Sequence, residues 1–159
     1  MRNIITIFQR ELSSYFSGPL AIISLSIFLA LLAAFSLWFN DLLLRGVASM
    51  RQPFFWMAIG FLLLIPAITM RLIAEERRTG SLEMLMSLPI RLGELIVGKW
   101  LAAVAIVGLG LSLTFTYPLV LSTYSEMDWG PVVGGYLGML LLGASFAAIG
   151  TTASAASNN

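Results

Sequence analysis

Four long uncharged runs of mainly hydrophobic residues organise the chain, and strict alternation of apolar and polar residues is absent from them. The runs lie at 12–40, 52–70, 100–125 and 129–159. An α-helix rises 1.5 Å per residue, so about 20 apolar residues cross a hydrocarbon core of about 30 Å. Lipid-spanning strands would alternate, and these runs do not. The sequence therefore predicts an all-α membrane helix bundle in a single domain, residues 1–159, with transmembrane helices at 19–39, 52–70, 100–125 and 129–157.

Residues 2–16 form a different, amphipathic element. One helical face carries Ile4, Ile5, Phe8, Leu12, Tyr15 and Phe16, and the other carries Asn3, Thr6, Gln9, Arg10 and Ser13. This pattern predicts a helix lying in the headgroup region before the first span. A simple extension of the first span is the alternative. Gly18-Pro19 favours a break, because proline disfavours helix in the residue before it.

Composition explains why these runs need a membrane and limits the chemistry. The chain is 58% hydrophobic and 11% charged, against about 25% charged in ordinary soluble domains. It has no Cys and no His, which removes thiol nucleophiles, imidazole bases and the usual zinc ligands. We therefore expect no catalytic residue, no metal and no cofactor. The net charge of +1 gives no reason to expect a nucleic acid partner.

Nine of the charged residues lie between the second and third runs, in residues 71–99. They are Arg71, Glu75, Glu76, Arg77, Arg78, Glu83, Arg91, Glu94 and Lys99. Lys and Arg are concentrated in this charged stretch and in the N-terminal arm, and are fewer in the other two connections. Because cytoplasmic loops carry the excess of Lys and Arg, both termini and residues 71–99 are predicted to be cytoplasmic.

The charged stretch has its own pattern of helix signals. Residues 70–79 should prolong the second transmembrane helix, and Gly80 suits the left-handed position that ends one. Ser81 can cap a short helix over 82–87, and a further helix should start near Leu92. The alternative is that the charges only fix topology and solvate helix ends. That alternative leaves the Gly-Ser break and the apolar side of the short helix unexplained.

Two catalytic look-alikes fail on inspection. Residues 93–100 nearly match a phosphate-binding loop, but Trp100 replaces the required Ser or Thr and no strand precedes the segment. The pair Glu75-Glu76 is similar to the glutamates of intramembrane prenyl-protein proteases, but the required Arg and His residues are missing. The chain is therefore not expected to bind ATP or to be an enzyme.

A stripe of small residues marks the fourth run. Gly130, Gly134 and Gly138 recur at every fourth position, and Gly143/Ala147 and Gly150/Ser154 extend the small-residue pattern. Such spacing lets helices approach closely in lipid. Packing within one subunit is the favoured interpretation, and a dimer contact or pore lining is the alternative. No charged residue falls mid-membrane, which argues against an ion-coupled carrier.

Several segments resemble ABC-2-type transporter permeases, with the branch associated with gliding motility and nitrous-oxide reductase maturation the most similar. They are Ala74-Glu75-Glu76-Arg77-Arg78-Thr79-Gly80-Ser81-Leu82-Glu83-Met84-Leu85, Ser87-Leu88-Pro89, Gly98-Lys99, Phe8-Gln9-Arg10-Glu11-Leu12 and Phe16-Ser17-Gly18-Pro19. The resemblance implies an interfacial N-terminal helix and a coupling helix after the second span, docked on a separate ATPase. Carried over by position, the coupling residues would be Glu75, Glu76, Arg77, Gly80 and Glu83.

The same resemblance implies a permease subunit in the bacterial inner membrane, paired with a second permease subunit and an ABC ATPase that uses ATP to export an unknown substrate. Members of that family usually have six spans, and this chain resembles their N-terminal two-thirds. The alternative function is a non-transporting membrane anchor or scaffold, or a truncated permease fragment, that recruits a cytoplasmic partner. A membrane enzyme is the weakest hypothesis, because no constellation of catalytic residues is present.

Overall fold

The computed structural model describes residues 2–38, 49–78, 92–123 and 126–156, with side chains at 4–18, 22–36, 49–69, 93–123 and 126–154. Within these ranges the regular structure is helical and no strand occurs. The helices are α1 (Arg2–Ser17), α2 (Pro19–Trp38), α3 (Arg51–Arg78), α4 (Leu92–Thr114), α5 (Thr116–Ser122) and α6 (Trp129–Ala156). The predicted all-α bundle is confirmed.

Three segments are long and apolar enough to cross a membrane on their own. They are Arg51–Thr69 in α3, Gly93–Ser122 through α4 and α5, and Trp129–Ser154 in α6. The helices α1 and α2 pass the same test as a bent pair. The protein is thus a polytopic helical membrane bundle.

The junction of α1 and α2 is a sharp break. The two helix axes meet at 72°, with α1 ending at Ser17 and α2 starting at Pro19. Proline suits the first position of a helix, because its missing N–H would have no intrahelical partner there. The helices α1 and α2 therefore do not form one straight helix.

The centre of the bundle is built around α3. Met57 and Phe61 are fully buried, and the ring of Phe61 stacks on Phe28 of α2 at 5.5 Å between centroids. On the other side α3 packs along α6, while α4 packs between α1 and α6. Large apolar side chains point outward from several helices, with Leu141 70% exposed and Leu63 64% exposed. Such surfaces suit lipid.

The close contacts of α6 involve only part of the predicted small-residue pattern. Gly130, Gly134 and Gly138 are all exposed, and a Cβ added to Gly134 or Gly138 would have no described atom within 4 Å. The close approaches occur on another face, at Gly143 against Val107 and Gly150 against Thr69, both in the predicted extension of the pattern, and at Gly135 against Phe54. The interpretation that Gly130, Gly134 and Gly138 pack within the subunit therefore finds no neighbour among the described residues. The two faces carry equally small residues, so spacing alone could not separate them.

The break between α4 and α5 lies three residues before Pro118. Proline has no N–H to donate to the carbonyl four residues earlier, which is that of Thr114. The Tyr136 hydroxyl of α6 donates to this carbonyl oxygen at 2.9 Å. The Tyr136 ring packs edge-on against Phe54 and Phe115. A tyrosine from a neighbouring helix thus satisfies the backbone acceptor that the proline leaves open.

One pair of variants tests which glycine face of α6 packs against the other helices. A Cβ at Gly143 would lie 2.6 Å from Val107 Cγ1, so Gly143→Leu should destabilise the fold by about 1–3 kcal/mol through overpacking. Gly138→Leu points into open space and is the matched control. The measurement is the thermal midpoint in detergent, followed by size-exclusion chromatography. Equal midpoints for the two variants would contradict the helix orientation described here.

Candidate functional site

The predicted coupling residues cluster at the end of α3 and beyond it. Glu75, Glu76 and Arg77 lie in the last two turns of α3, but their side chains fall outside the described ones. Gly80 and Glu83 lie outside the described residues. The helix α3 has 28 residues, or about 42 Å at 1.5 Å per residue. The helix is therefore about 12 Å longer than a hydrocarbon core of about 30 Å, and its last eight residues, 71–78, include the charged Arg71, Glu75, Glu76, Arg77 and Arg78.

The side chains near the other end of the charged stretch include a buried ion pair. Lys99 Nζ of α4 lies 3.1 Å from Glu11 Oε1 of α1. The side chain of Lys99 is 1% exposed and that of Glu11 is 14% exposed. The sequence analysis placed Lys99 in a charged stretch available to a soluble partner. Its burial removes Lys99 from that accessible surface.

Burial makes this pair costly to break. Removing a charge from water costs several kcal/mol, and a close opposite charge offsets that cost. Losing one partner of a buried pair costs about 3–5 kcal/mol, because the other charge is left uncompensated. The pair therefore stabilises one particular arrangement of α1 against α4.

The backbones of α1 and α4 approach closely beside this pair. A Cβ added to Gly98 would lie 3.0 Å from Ile7 Cβ and 2.7 Å from Ile7 Cγ2. Ile7 is 7% exposed, and any larger residue at 98 would push the helices apart. Ile7 lies one turn before Glu11, so the apolar contact and the ion pair lie on the same face of α1.

The same face of α1 also contacts α3. Tyr15 lies one turn after Glu11, and its hydroxyl donates to the carbonyl oxygen of Ile68 at 3.3 Å. Ile68 is three residues before Arg71, where the charged stretch begins. The helix α1 thus contacts the chain near both ends of residues 71–99.

The face of α1 that packs on the bundle overlaps the predicted apolar face. Leu12 and Tyr15 of the predicted face pack against the core, whereas Ile5 and Phe16 are 57% and 50% exposed. Ile7 and Glu11, which the predicted face lacked, also face the bundle, and the partner of Glu11 on α4 lies 88 residues away in sequence. The only local signal was the spacing of four residues that joins Ile7, Glu11 and Tyr15.

The next residue of α4 fixes the opposite side of that helix. The Trp100 indole N–H donates to the carbonyl oxygen of Ala144 in α6 at 2.9 Å. A tryptophan N–H on a buried face needs such an acceptor. Consecutive residues, Lys99 and Trp100, therefore attach α4 to α1 and to α6.

The buried contacts beside the charged stretch join three helices. No group of three or more His, Cys, Asp or Glu residues is placed to hold a metal ion in the part of the chain that the structure describes. Residues 93–100, the phosphate-loop look-alike, lie within α4. What the residues do is tie three helices together where the charged stretch meets the bundle.

Comparison with known proteins gives one family. Residues 23–158 match the family model described as ABC-2 family transporter protein. No curated protein and no solved structure matches the chain. The matched residues include Lys99 and most of the bundle, but not α1.

A cross-link tests the contact between α1 and α4 directly, because the chain has no native cysteine. A Cβ at position 98 lies 3.0 Å from that of Ile7, a few tenths of an ångström short of the about 3.5–4.5 Å found in disulfides. We expect Ile7→Cys/Gly98→Cys to form an intramolecular disulfide on mild oxidation, measured as loss of maleimide-polymer labelling on a gel. The matched control is Ile5→Cys/Gly98→Cys, with Ile5 on the exposed face. Equal cross-linking of both pairs would contradict the position of α1.

Proposed function

The chain belongs to the ABC-2 family of transporter proteins, and we propose that this permease subunit exports its substrate with energy from a separate ATPase subunit. Residues 71–99 would dock on the ATPase. The observation that carries the proposal is that α3 continues to Arg78, beyond the uncharged run that ends at Met70. Glu75, Glu76 and Arg77 belong to this extension, which is continuous with the core of the bundle.

The distribution of charge supports an external energy source. Carriers driven by ions or protons use ionisable residues inside the membrane. Among the described residues, the buried charged side chain is Lys99, near the start of α4 and paired with Glu11. The rest of the described bundle interior offers no ionisable relay. Energy supplied as ATP by a partner subunit fits this interior.

The docking role falls on five residues. Glu75, Glu76 and Arg77 would present charge from the end of α3, Gly80 would let the chain turn, and Glu83 would lie in the short helix predicted at 82–87. A complementary groove on the ATPase would receive that helix. Closure of the ATPase would then displace residues 79–91 and pull on α3 and α4, which flank them.

We propose that a second permease subunit completes the substrate path and that the complex lies in the bacterial inner membrane. Both termini and residues 71–99 would face the cytoplasm. The excess of Lys and Arg in these segments supports this orientation. The exposed apolar surfaces of α3 and α6 leave area for lipid and for that second subunit.

Charge reversal at one docking residue tests the ATPase partner. Glu76→Lys should lower the amount of ATPase that co-purifies with the tagged chain about tenfold or more, because a like-charge contact replaces an attractive one. Glu126→Lys is the matched control, with the same charge change on an exposed residue in the connection between α5 and α6. The measurement is ATP hydrolysis and mass spectrometry of the purified membrane complex. Wild-type protein that carries no ATPase would refute the proposed function, and full recovery with Glu76→Lys would refute the docking role alone.

Single cysteines test the orientation. Ser13 of α1 and Glu126 are both exposed, and the chain has no other cysteine to react. In spheroplasts, a membrane-impermeant maleimide should label Glu126→Cys, and should label Ser13→Cys only after the membrane is opened. This result follows from the cytoplasmic placement of segments rich in Lys and Arg. The reverse labelling pattern would place the charged stretch outside, where an ATPase could not reach it.

A further inference from the structure

The charged stretch, residues 71–99, starts and ends beside the same helix. Near its start, α1 contacts α3 through Tyr15 and the carbonyl of Ile68. At its end, α1 contacts α4 through Glu11 and Lys99. The helix α1 packs along α4 and contacts α3 more sparsely. It therefore links the two helices that flank residues 79–91, in addition to the direct packing of α3 on α4 in the core.

The two contacts of α1 differ in strength. The contact to α4 combines a buried ion pair with a close approach of Gly98 to Ile7. The contact to α3 is sparser and includes a hydrogen bond from Tyr15 of 3.3 Å, longer than the usual hydroxyl-to-carbonyl distance. A buried ion pair is far costlier to separate than a single neutral hydrogen bond. Under a displacing force, the α1–α3 contact should open first.

We propose that Glu11 and Lys99 are positioning residues that make α1 and α4 move as one body against α3 when the ATPase displaces residues 79–91. The inference rests on the proposed function. It goes beyond the family match, because Glu11 lies outside residues 23–158. In this mechanism the Tyr15 bond to Ile68 opens and closes while the Glu11–Lys99 pair stays intact.

The first test separates coupling from docking. In nanodiscs containing the permease with its co-purified ATPase, Lys99→Met should leave the amount of bound ATPase unchanged. ATP hydrolysis per bound ATPase should fall about fivefold or more, as expected when a coupling contact is lost. The exchanged pair Glu11→Lys/Lys99→Glu should return hydrolysis to within about twofold of wild type, because it keeps the attraction. Arg51→Met removes an exposed cation at the far end of α3 and should change nothing.

The second test uses rescue, which a purely structural role would not show. Adding Ile7→Cys/Gly98→Cys to Lys99→Met should restore hydrolysis after oxidation, and reduction should abolish the gain. In the wild-type background the same disulfide should leave hydrolysis unchanged. If Lys99→Met does not fold, Glu11→Gln/Lys99→Met avoids an unpaired buried charge, and the same loss and rescue are expected.

Each contrary result has its own meaning. Loss of hydrolysis on forming the disulfide in the wild-type background would show that α1 and α4 must separate, which overturns the inference. Wild-type hydrolysis by Lys99→Met with the ATPase bound would overturn it equally. Both results leave the proposed function standing. A wild-type preparation without any ATPase would overturn the proposed function, and the inference with it.

Discussion

Backbone hydrogen bonding inside lipid is the constraint on which this fold depends, because the hydrocarbon offers no water to satisfy an open carbonyl or N–H. Helices meet the constraint automatically except where a proline interrupts them. At Pro118 the chain meets it with a side chain, since Tyr136 donates to the carbonyl that the proline leaves open. Polar side chains in the apolar helices follow the same rule, and many hydroxyls donate to a carbonyl one turn earlier. These include Thr69, Ser112, Ser145, Thr151 and Thr152.

Once the backbone hydrogen bonds are satisfied, close packing holds the helices together. The hydrophobic effect contributes little to helix association inside a membrane, because lipid tails are as apolar as the helix surfaces. The small residues on the inner face of α6 serve this purpose. Val107 and Phe61 pack against Gly143, and Phe54 packs against Gly135. The outer face, with Gly134 and Gly138, has equally small residues but no described neighbour. Small residues permit close approach, and the partner's shape determines which of them are used.

The sequence was sufficient wherever the signal was local. Uncharged runs of sufficient length predicted the helices, Gly18-Pro19 predicted the break after α1, and the start of a helix near Leu92 is confirmed. Contacts between distant segments could not be predicted. Glu11 and Lys99 are separated by 88 positions, and the sequence around either residue gives no indication that the two form a pair. The contribution of Ile7 and Glu11 to the packing of α1 could not be predicted for the same reason, because it depends on Gly98 and Lys99 of α4.

The Glu11–Lys99 pair matters because of what lies beyond it along α4. From Leu92 to Thr114 this helix is uninterrupted, and 23 residues make a rod of about 34 Å. A displacement applied at the end of the charged stretch therefore reaches the opposite side of the bundle with little loss, since a helix bends mainly where its hydrogen-bond ladder is broken. The first break is at Phe115, where the Tyr136 hydroxyl ties the open carbonyl of Thr114 to α6. The rod is thus joined to α1 by a buried ion pair near its first end and to α6 by Tyr136 at its far end, so a displacement of α4 is passed to both neighbouring helices.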